Sequence, residues 1–329
     1  MSGCTQTGKP LIAILMAIYE PRLDWLREQL ESLEKQTYPN LKLYIRDDCS
    51  PTVSFEEIQN CVAECIRSFP YEIKCNEKNL GSNGTFERLT REAEGEYFAY
   101  CDQDDVWLPE KLERLQREIS TQNACLICSD VYIIDANGKV TANSITDIRR
   151  RHVFHSGKNL APYLLVRNFI IGCTMLIRAE IAHSAIPFEP GYVHDQWLGI
   201  KAAAEGSIAI VREPLIYYRQ HSNNQTGILS GIHSKQDYFK VRIEKSINTL
   251  ESAIQRLELT PSDQKKVAAL RAAMTARKDY FSKPNIKDLK AFLHCGTFSL
   301  QSVIFETMLP FLPERVVCAL IRFAKSGRV

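Results

Sequence analysis

The strongest constraint on the fold is a regular alternation of strand-length apolar runs with helix-length amphipathic runs over the first third of the chain. The run LIAILMAIY (residues 11–19) is continuously apolar, as expected for a parallel strand buried on both faces. A helical stripe of leucines at positions 23, 26, 30 and 33 follows it. Further strand–helix pairs begin at LKLYIRDD, YEIKCNEK and EYFAYCD. This alternation predicts an α/β fold with a Rossmann-like, mostly parallel sheet flanked by helices.

The pattern changes after about residue 125. Strand-like runs at 125–134, 170–178 and 207–218 are separated by longer, less regular pieces, and the chain is helical in pattern from about residue 236. We therefore predict one large domain over residues 1–235 and a C-terminal helical extension over residues 236–329.

Three aspartates, Asp102, Asp104 and Asp105, close the fourth predicted strand in the stretch YFAYCDQDDVW. The carboxyl ends of parallel strands are where such folds bind ligands. Carboxylates this close repel one another unless a cation or strong donors are present, and their oxygens suit Mg²⁺ or Mn²⁺. The alternative is an Asx-type turn that caps the next helix, but one aspartate would serve for that. Trp107 and Trp197 flank acidic motifs, where they either stack on the rings of a ligand or pack under the loops.

Two further loops are expected at the same edge. Asp47 and Asp48 end the second strand, where a carboxylate can accept hydrogen bonds from a base or a ribose; the alternative is a simple cap for the following helix. Asn79 and Gly81 belong to NLGSNG after the third strand, where glycine allows a close approach of backbone to ligand. This loop is not GxGxxG and does not follow the first strand, which argues against a dinucleotide site.

Together these motifs resemble the family 2 glycosyltransferases of GT-A fold, over roughly residues 10–225. MAIYE resembles the end of the family's first strand, DDCS its DD-x-S, NLGSNG its N-x-G loop and DQDD its D-x-D. The resemblance implies a donor half over residues 10–124 and an acceptor half over residues 125–235. It implies a nucleotide-sugar site formed by Tyr19, Glu20, Asp47, Asp48, Asn79, Gly81, Asp102, Gln103 and Arg219.

The resemblance also implies the catalytic groups. VHDQWLG occupies the place of the family's E-D pair, so Asp195 matches the general base, while His194 replaces the usual glutamate. Asp104 would bind the divalent metal, Mn²⁺ or Mg²⁺. IYYRQHSNN is similar to the Y-R-x-H segment of non-processive members, which would bring Arg219 and His221 to the diphosphate or the metal. The Q-x-x-R-W of processive synthases is absent, which favours one addition per encounter.

The function implied is an inverting, metal-dependent glycosyltransferase of bacterial cell-surface polysaccharide synthesis. DQDDVW followed by YRQHSNN is most similar to rhamnosyltransferases, so the expected donor is dTDP-rhamnose and the acceptor a lipid-linked oligosaccharide. The alternatives are a UDP-hexose donor, a sugar-phosphate nucleotidyltransferase, and a catalytically silent scaffold. The nucleotidyltransferase would carry a Gly-rich basic loop after its first strand, where this chain reads AIYEPRLD. The scaffold would have lost its carboxylates.

Charge is unevenly distributed. Residues 235–329 hold 17 Lys and Arg against 9 Asp and Glu, whereas residues 1–234 hold 24 against 30. The apolar stretch 303–324 is too interrupted by Pro and charged residues to cross a bilayer, but it could form amphipathic helices in the membrane interface. The alternative is a helical subdomain that packs on the catalytic domain or on a second subunit of a homodimer.

Eleven cysteines occur without regular spacing. Cys125 and Cys128 form a CxxC inside a strand-like run without a second ligand pair nearby, so buried free thiols are favoured over zinc. The first residues show no secretory signal pattern. We therefore expect a cytoplasmic protein, peripheral on the cytoplasmic face of the membrane, with no nucleic-acid partner.

Overall fold

The structure is a computed structural model that describes residues 8–149, 151–221, 232–294 and 300–325. The described residues form two compact units. The first comprises those within 1–164 and 168–221; the second comprises 165–167 and those that follow residue 221.

The first unit is built on one nine-stranded sheet. Its strands are β1 (Ile12–Ile18), β2 (Leu41–Asp47), β3 (Tyr71–Cys75), β4 (Tyr97–Cys101), β5 (Val106–Trp107), β6 (Leu126–Ile134), β7 (Val140–Ala142), β8 (Met175–Arg178) and β9 (Ile208–Arg219). The strand order is β3-β2-β1-β4-β8-β6-β9-β5, with β7 paired to β6.

The pairings divide the sheet into two parts. Strands β3, β2, β1 and β4 are mutually parallel, as the alternating pattern predicts. The second part is mixed: β8 runs antiparallel to both β4 and β6, whereas β9 is parallel to β6. Because β1, β2 and β4 run in one direction, their carboxyl ends meet at one edge of the sheet.

Helices cover the sheet and bury the leucine and isoleucine stripes expected from the sequence, such as Leu26, Leu30 and Leu33 of the first helix. The helices of this unit are α1 (Leu23–Glu34), α2 (Phe55–Cys65), α3 (Gly81–Glu92), α4 (Lys111–Thr121), α5 (Ile145–Ile148), α6 (Ala161–Leu164), α7 (Ala179–Ser184) and α8 (His194–Glu205).

One local prediction was inaccurate. The strand predicted over 170–178 covers only Met175–Arg178, because Gly172–Thr174 forms a 3₁₀ turn before it. Long-range packing overrides the local pattern here. After the three aspartates, Val106–Trp107 forms a short strand against β9, and α4 begins at Lys111.

The second unit is helical, in keeping with the pattern after residue 236. Its helices are α9 (Lys235–Tyr238), a π-helical turn (Phe239–Glu244), α10 (Lys245–Ile254), α11 (Pro261–Ser282), α12 (Ile286–His294), α13 (Leu300–Met308), a 3₁₀ turn (Leu309–Phe311) and α14 (Glu314–Lys325). Ile232, Leu309 and Ile321 lie in its small apolar core. Across the described ranges, no helix has both the length and the apolar character needed to cross a bilayer.

Candidate active site

Tyr19 and Gln103 pair the ends of two parallel strands, β1 and β4. The Tyr19 amide donates to the Gln103 side-chain oxygen at 2.8 Å, and the Gln103 side-chain nitrogen donates to the Tyr19 carbonyl at 3.0 Å. The Tyr19 side chain is left 44% exposed at this edge. An aromatic surface is therefore available beside the carboxylates.

Glu20 and Asp47 use their carboxylates to hold the loop after β2. Glu20 accepts from the Thr52 amide at 2.8 Å, and hydrogen bonds from Thr52 lower the pKa of this exposed carboxyl. Asp47 accepts from the Ser50 hydroxyl at 2.6 Å and the Ser50 amide at 3.2 Å. Both residues, which were predicted to bind the nucleotide sugar, thus stabilise the loop after β2.

Asp48 joins the end of β2 to the NLGSNG loop. Its carboxylate accepts from the Asn76 side chain at 2.7 Å and from the Leu80 and Gly81 amides at 2.8 Å each. The Gly81 amide also lies 3.0 Å from the Asn79 side-chain oxygen. Gly81 has φ of +72°, a left-handed conformation that favours glycine. The sequence predicted both loops at this edge, and the structure shows one aspartate connecting them.

The three aspartates after β4 have different surroundings. Asp105 is fully buried; its Oδ1 accepts from the Arg219 amide at 3.0 Å, and its Oδ2 has no hydrogen-bond partner among the described residues. Burial, then the charges of Asp104 and Asp102, raises the pKa of Asp105 well above its ordinary value. Burial, then the charges of Asp104 and Asp195, likewise raises the pKa of Asp102. The Asp195 carboxylate therefore belongs to the same electrostatic cluster.

Asp104 and His221 lie side by side: Asp104 Oδ2 is 2.6 Å from His221 Nε2. The His221 ring packs on Trp25, with ring centroids 5.1 Å apart. Arg219 is almost completely buried, pairs with the Glu28 carboxylate, and donates from Nε to the Asp104 carbonyl at 2.8 Å. Arg219 thus supports the loop that carries Asp104, and its predicted contact with the diphosphate stays a prediction.

The aspartate-rich edge fits a divalent cation. Asp102, Asp105 and Cys173 each offer a ligand atom, and these atoms lie within 4.8 Å of one another. Asp105 Oδ2 is a buried oxygen without a hydrogen-bond partner in the described chain, and the neighbouring residue in sequence, Asp104, is in contact with His221. Carboxylate oxygens of this kind are the ligands that Mg²⁺ and Mn²⁺ prefer.

Lys111 is a buried group that the sequence interpretation missed. Its Nζ donates to the Cys173 carbonyl at 2.6 Å and lies 3.0 Å from the Trp107 ring centroid. Burial lowers the pKa of Lys111 to about 7. Its position in the sequence could have revealed this burial, because Lys111 precedes Leu115 by four residues and so lies on the apolar stripe of α4.

Asp195 stands in the first turn of α8, half-buried. Its Oδ1 accepts from the Asn168 side chain at 3.1 Å, and its Oδ2 accepts from the Gly172 amide at 3.1 Å. Burial raises the pKa of Asp195 to about 6, although these hydrogen bonds oppose the rise. A carboxylate with this pKa is suited to accept a proton near neutral pH.

His194 is an uncharged packing residue. Burial lowers its pKa to about 3, and its ring lies 4.2 Å from that of Phe86. Histidine is neutral or positively charged, so it cannot supply the negative charge of the glutamate usual at this position. Trp107 and Trp197 are buried, so both pack beneath the site instead of facing a sugar. Cys128 is a buried free thiol, as expected, and Cys125 is half-buried and also free.

A family model described as "Glycosyl transferase family 2" matches residues 13–183, just over half of the chain. The chain belongs to glycosyl transferase family 2. It is therefore an enzyme, and the nucleotidyltransferase and scaffold alternatives are wrong.

Relatives in this family have diverged widely in sequence. An uncharacterized glycosyltransferase of Methanocaldococcus jannaschii is 26% identical over 238 residues, covering 71% of this chain and 78% of the relative. The dTDP-rhamnosyl transferase RfbG of Shigella flexneri is 27% identical over 218 residues, covering 62% and 71%. A putative teichuronic acid biosynthesis glycosyltransferase, TuaG of Bacillus subtilis, is 26% identical over 175 residues, covering 52% and 64%.

The fold is shared with solved structures of S. aureus TarS. Residues 1–349 of TarS in complex with UDP-GlcNAc match with a TM-score of 0.58 at 17% identity, covering 96% of this chain and 87% of that one. Against a longer TarS structure, this chain spans 53% of the length. The predicted GT-A-type fold with C-terminal helices is confirmed.

Substituting Gly172→Ala in this glycosyltransferase is expected to lower kcat by about 10- to 100-fold, because displaced reacting groups lose rate steeply. A Cβ at Gly172 would lie 2.7 Å from His194 Nε2 and 3.5 Å from Asp195 Cβ, so the His194 imidazole at the start of α8 must shift. The measurement is kcat per folded protein. Gly206→Ala is the matched control, since its Cβ would lie 2.5 Å from Cys125 Sγ at the opposite end of α8 from Asp195. An equal loss of kcat in both variants would contradict the prediction.

Proposed function

We propose that this protein is an inverting, metal-dependent glycosyltransferase that moves one sugar from a nucleotide sugar to a lipid-linked glycan acceptor. The observation that carries the proposal is the convergence of Asp102, Asp104 and Asp195 at the carboxyl edge of the sheet, where burial and then the charges of Asp104 and Asp195 raise the pKa of Asp102. Clustered carboxylates suit a cation and an acceptor hydroxyl better than they suit an apolar ligand.

In the proposed donor site, the Tyr19 ring stacks on the nucleotide base, and Glu20, Asp47 and Asp48 with Asn79 and Gly81 shape the wall around it. All of these residues lie within residues 10–124, the proposed donor half. Exposure of the Tyr19 ring and the anchoring of Gly81 on Asp48 support the assignment. Gln103 and Asp102 would lie by the ribose.

We assign Asp104 and His221, whose side chains are in contact, to hold Mn²⁺ or Mg²⁺. When bound, the ion supplies a Lewis acid that stabilises the charge developing on the nucleoside diphosphate. Arg219 keeps the Asp104 backbone in place through its Nε bond to the Asp104 carbonyl. The role of Arg219 in this proposal is therefore to orient a metal ligand.

Asp195 is the proposed general base of the acceptor half, residues 125–235. It takes the proton of the acceptor hydroxyl as the oxygen attacks the anomeric carbon, and the bond from that carbon to the diphosphate oxygen breaks. Attack from the face opposite the leaving group inverts the configuration. The hydrogen bonds from Asn168 and Gly172 hold the carboxylate in one orientation for this step.

The donor we propose is dTDP-rhamnose, and the setting is bacterial cell-surface polysaccharide synthesis. The name of the relative RfbG, a dTDP-rhamnosyl transferase, supports the sugar, and the name of TuaG supports the setting. A UDP-linked sugar is the second candidate, which the TarS complex with UDP-GlcNAc favours. Pocket contacts of a few kcal/mol decide between such donors.

The lipid-linked acceptor places the proposed enzyme at the cytoplasmic face of a membrane, bound through residues 236–329. In α14, Val316, Leu320 and Phe323 are exposed at spacings of four and three residues, which puts them on one face. Arg315 and Arg322 border that face, and each basic residue near an anionic surface contributes about 1 kcal/mol.

The test is release of nucleoside diphosphate from a panel containing dTDP-rhamnose, UDP-glucose, UDP-galactose and UDP-GlcNAc, with Mn²⁺, Mg²⁺ or EDTA. Binding of dTDP and UDP is measured in the same samples. We expect turnover of dTDP-rhamnose that EDTA abolishes. Turnover of a UDP-sugar alone would replace the donor but keep the reaction. Failure of every nucleotide to bind with any metal would overturn the proposal.

A further inference from the structure

The first turn of α8, which carries Asp195, is capped by a side chain from another helix. We infer that Asn83 is a positioning residue for sugar transfer: its carboxamide caps α8 and ties Asp195 to the NLGSNG loop. The inference rests on the proposed role of Asp195.

The amide groups at the start of a helix need partners from outside it. At α8 the N-cap residue is Val193, whose side chain makes no capping hydrogen bond. Asn83 supplies the missing group: its Oδ1 accepts from the His194 amide at 2.8 Å, and its Nδ2 donates to the Tyr192 carbonyl at 2.7 Å. One planar amide therefore holds the peptide groups on both sides of Val193.

The same side chain is anchored to the proposed donor site. Asn83 lies in the first turn of α3, two residues after Gly81, and the amides of Leu80 and Gly81 both donate to the Asp48 carboxylate at 2.8 Å. A continuous path runs from Asp48 through the first turn of α3 to Asn83, and from there to the turn that bears Asp195. We therefore expect a shift of this loop to displace the proposed base.

Two sets of contacts hold Asp195 in place. Asn168 and Gly172 orient its carboxylate, whereas Asn83 holds the backbone amide of the preceding residue, His194. Removing the side-chain carboxamide of Asn83 leaves the Asp195 carboxylate in the protein and removes no proposed contact with the nucleotide sugar. It should therefore lower kcat while nucleotide binding is retained, the pattern of an interaction needed in the transition state.

The experiment compares the variants Asn83→Ala and Asn83→Asp with the wild-type full chain. Asn83→Ala is expected to lower kcat by about 10- to 100-fold with the Kd for UDP and dTDP changed less than about threefold. Asn83→Asp keeps an oxygen acceptor for the His194 amide but cannot donate to the Tyr192 carbonyl, so an intermediate kcat is expected. Asn40→Ala is the matched control, since Asn40 also donates from its side chain to a carbonyl, that of Lys9, at 2.8 Å.

Hydrogen exchange of the His194 amide is the second readout, and it does not depend on turnover. We expect this amide to exchange at least about tenfold faster in Asn83→Ala, because its acceptor is lost. Unchanged exchange and unchanged kcat would overturn the inference. Equal losses of kcat and nucleotide affinity would assign Asn83 to donor binding and overturn it too. If wild type turned over no sugar nucleotide, the proposed function would fail, while the exchange rates would still test the cap.

Discussion

Replacing Asp195 with asparagine is expected to reduce kcat for sugar transfer by about 10²- to 10⁴-fold, the range that a positioned general base contributes. Asparagine has nearly the shape of aspartate but cannot take the acceptor proton. The Kd for nucleotide should stay within about threefold of wild type, because the loss falls on the chemical step. Single-turnover transfer to acceptor and nucleotide binding, measured on the same preparation, check this. Asp279→Asn, an exposed aspartate in the second unit, is the matched control.

The pH dependence provides an independent check of the same residue. Burial raises the pKa of Asp195 to about 6, so its base form is lost as the pH falls through that value. We expect kcat to fall below about pH 6 and to be fully developed about one unit above it. The measurement is made at one saturating concentration of Mn²⁺ or Mg²⁺, so that loss of the metal at low pH does not contribute to the fall in kcat. A wild-type acidic limb that persists in Asp195→Asn would contradict the assignment.

Removing the Asp104 carboxylate is expected to reduce sugar transfer nearly as much as Asp195→Asn does. Asp104→Ala should lower metal-stimulated transfer by at least about 10²-fold, because the metal's electrostatic stabilisation of the leaving group lowers the barrier to transfer by several kcal/mol. The Mn²⁺ concentration for half-maximal activity should rise in parallel. Isothermal titration with Mn²⁺, together with transfer assays across a metal series, measures both effects.

His221→Ala distinguishes a metal ligand from a structural neighbour of Asp104. Since His221 Nε2 lies 2.6 Å from Asp104 Oδ2, its loss should weaken Mn²⁺ binding less than the loss of Asp104 but in the same direction. Asp279→Ala is expected to leave both activity and metal dependence unchanged. Activity of Asp104→Ala that matched wild type at every Mn²⁺ concentration would remove Asp104 from the proposed metal site.

Local patterns were sufficient for the parallel part of the fold. Continuous apolar runs, each followed by an amphipathic helix, correctly predicted β1, β2, β3 and β4, because strands buried on both faces need apolar residues throughout. The same reasoning correctly placed Asp48, Gly81 and Asp102 together at one edge. It was less accurate over 170–178, where the turn at Gly172 depends on the approach of α8.

The residues themselves thus determined the fold class, the family and the edge at which the acidic motifs meet. Tertiary structure alone decided how these side chains are used: Arg219 and Lys111 are buried, Trp107 and Trp197 pack beneath the site, and the Asn83 amide caps α8. The physical reason is the separation along the chain over which each property is determined. Strand and helix periodicity is set by neighbours within a few positions, whereas burial and hydrogen-bond partnership depend on residues that lie about a hundred positions apart in the chain, such as Asn83 and His194.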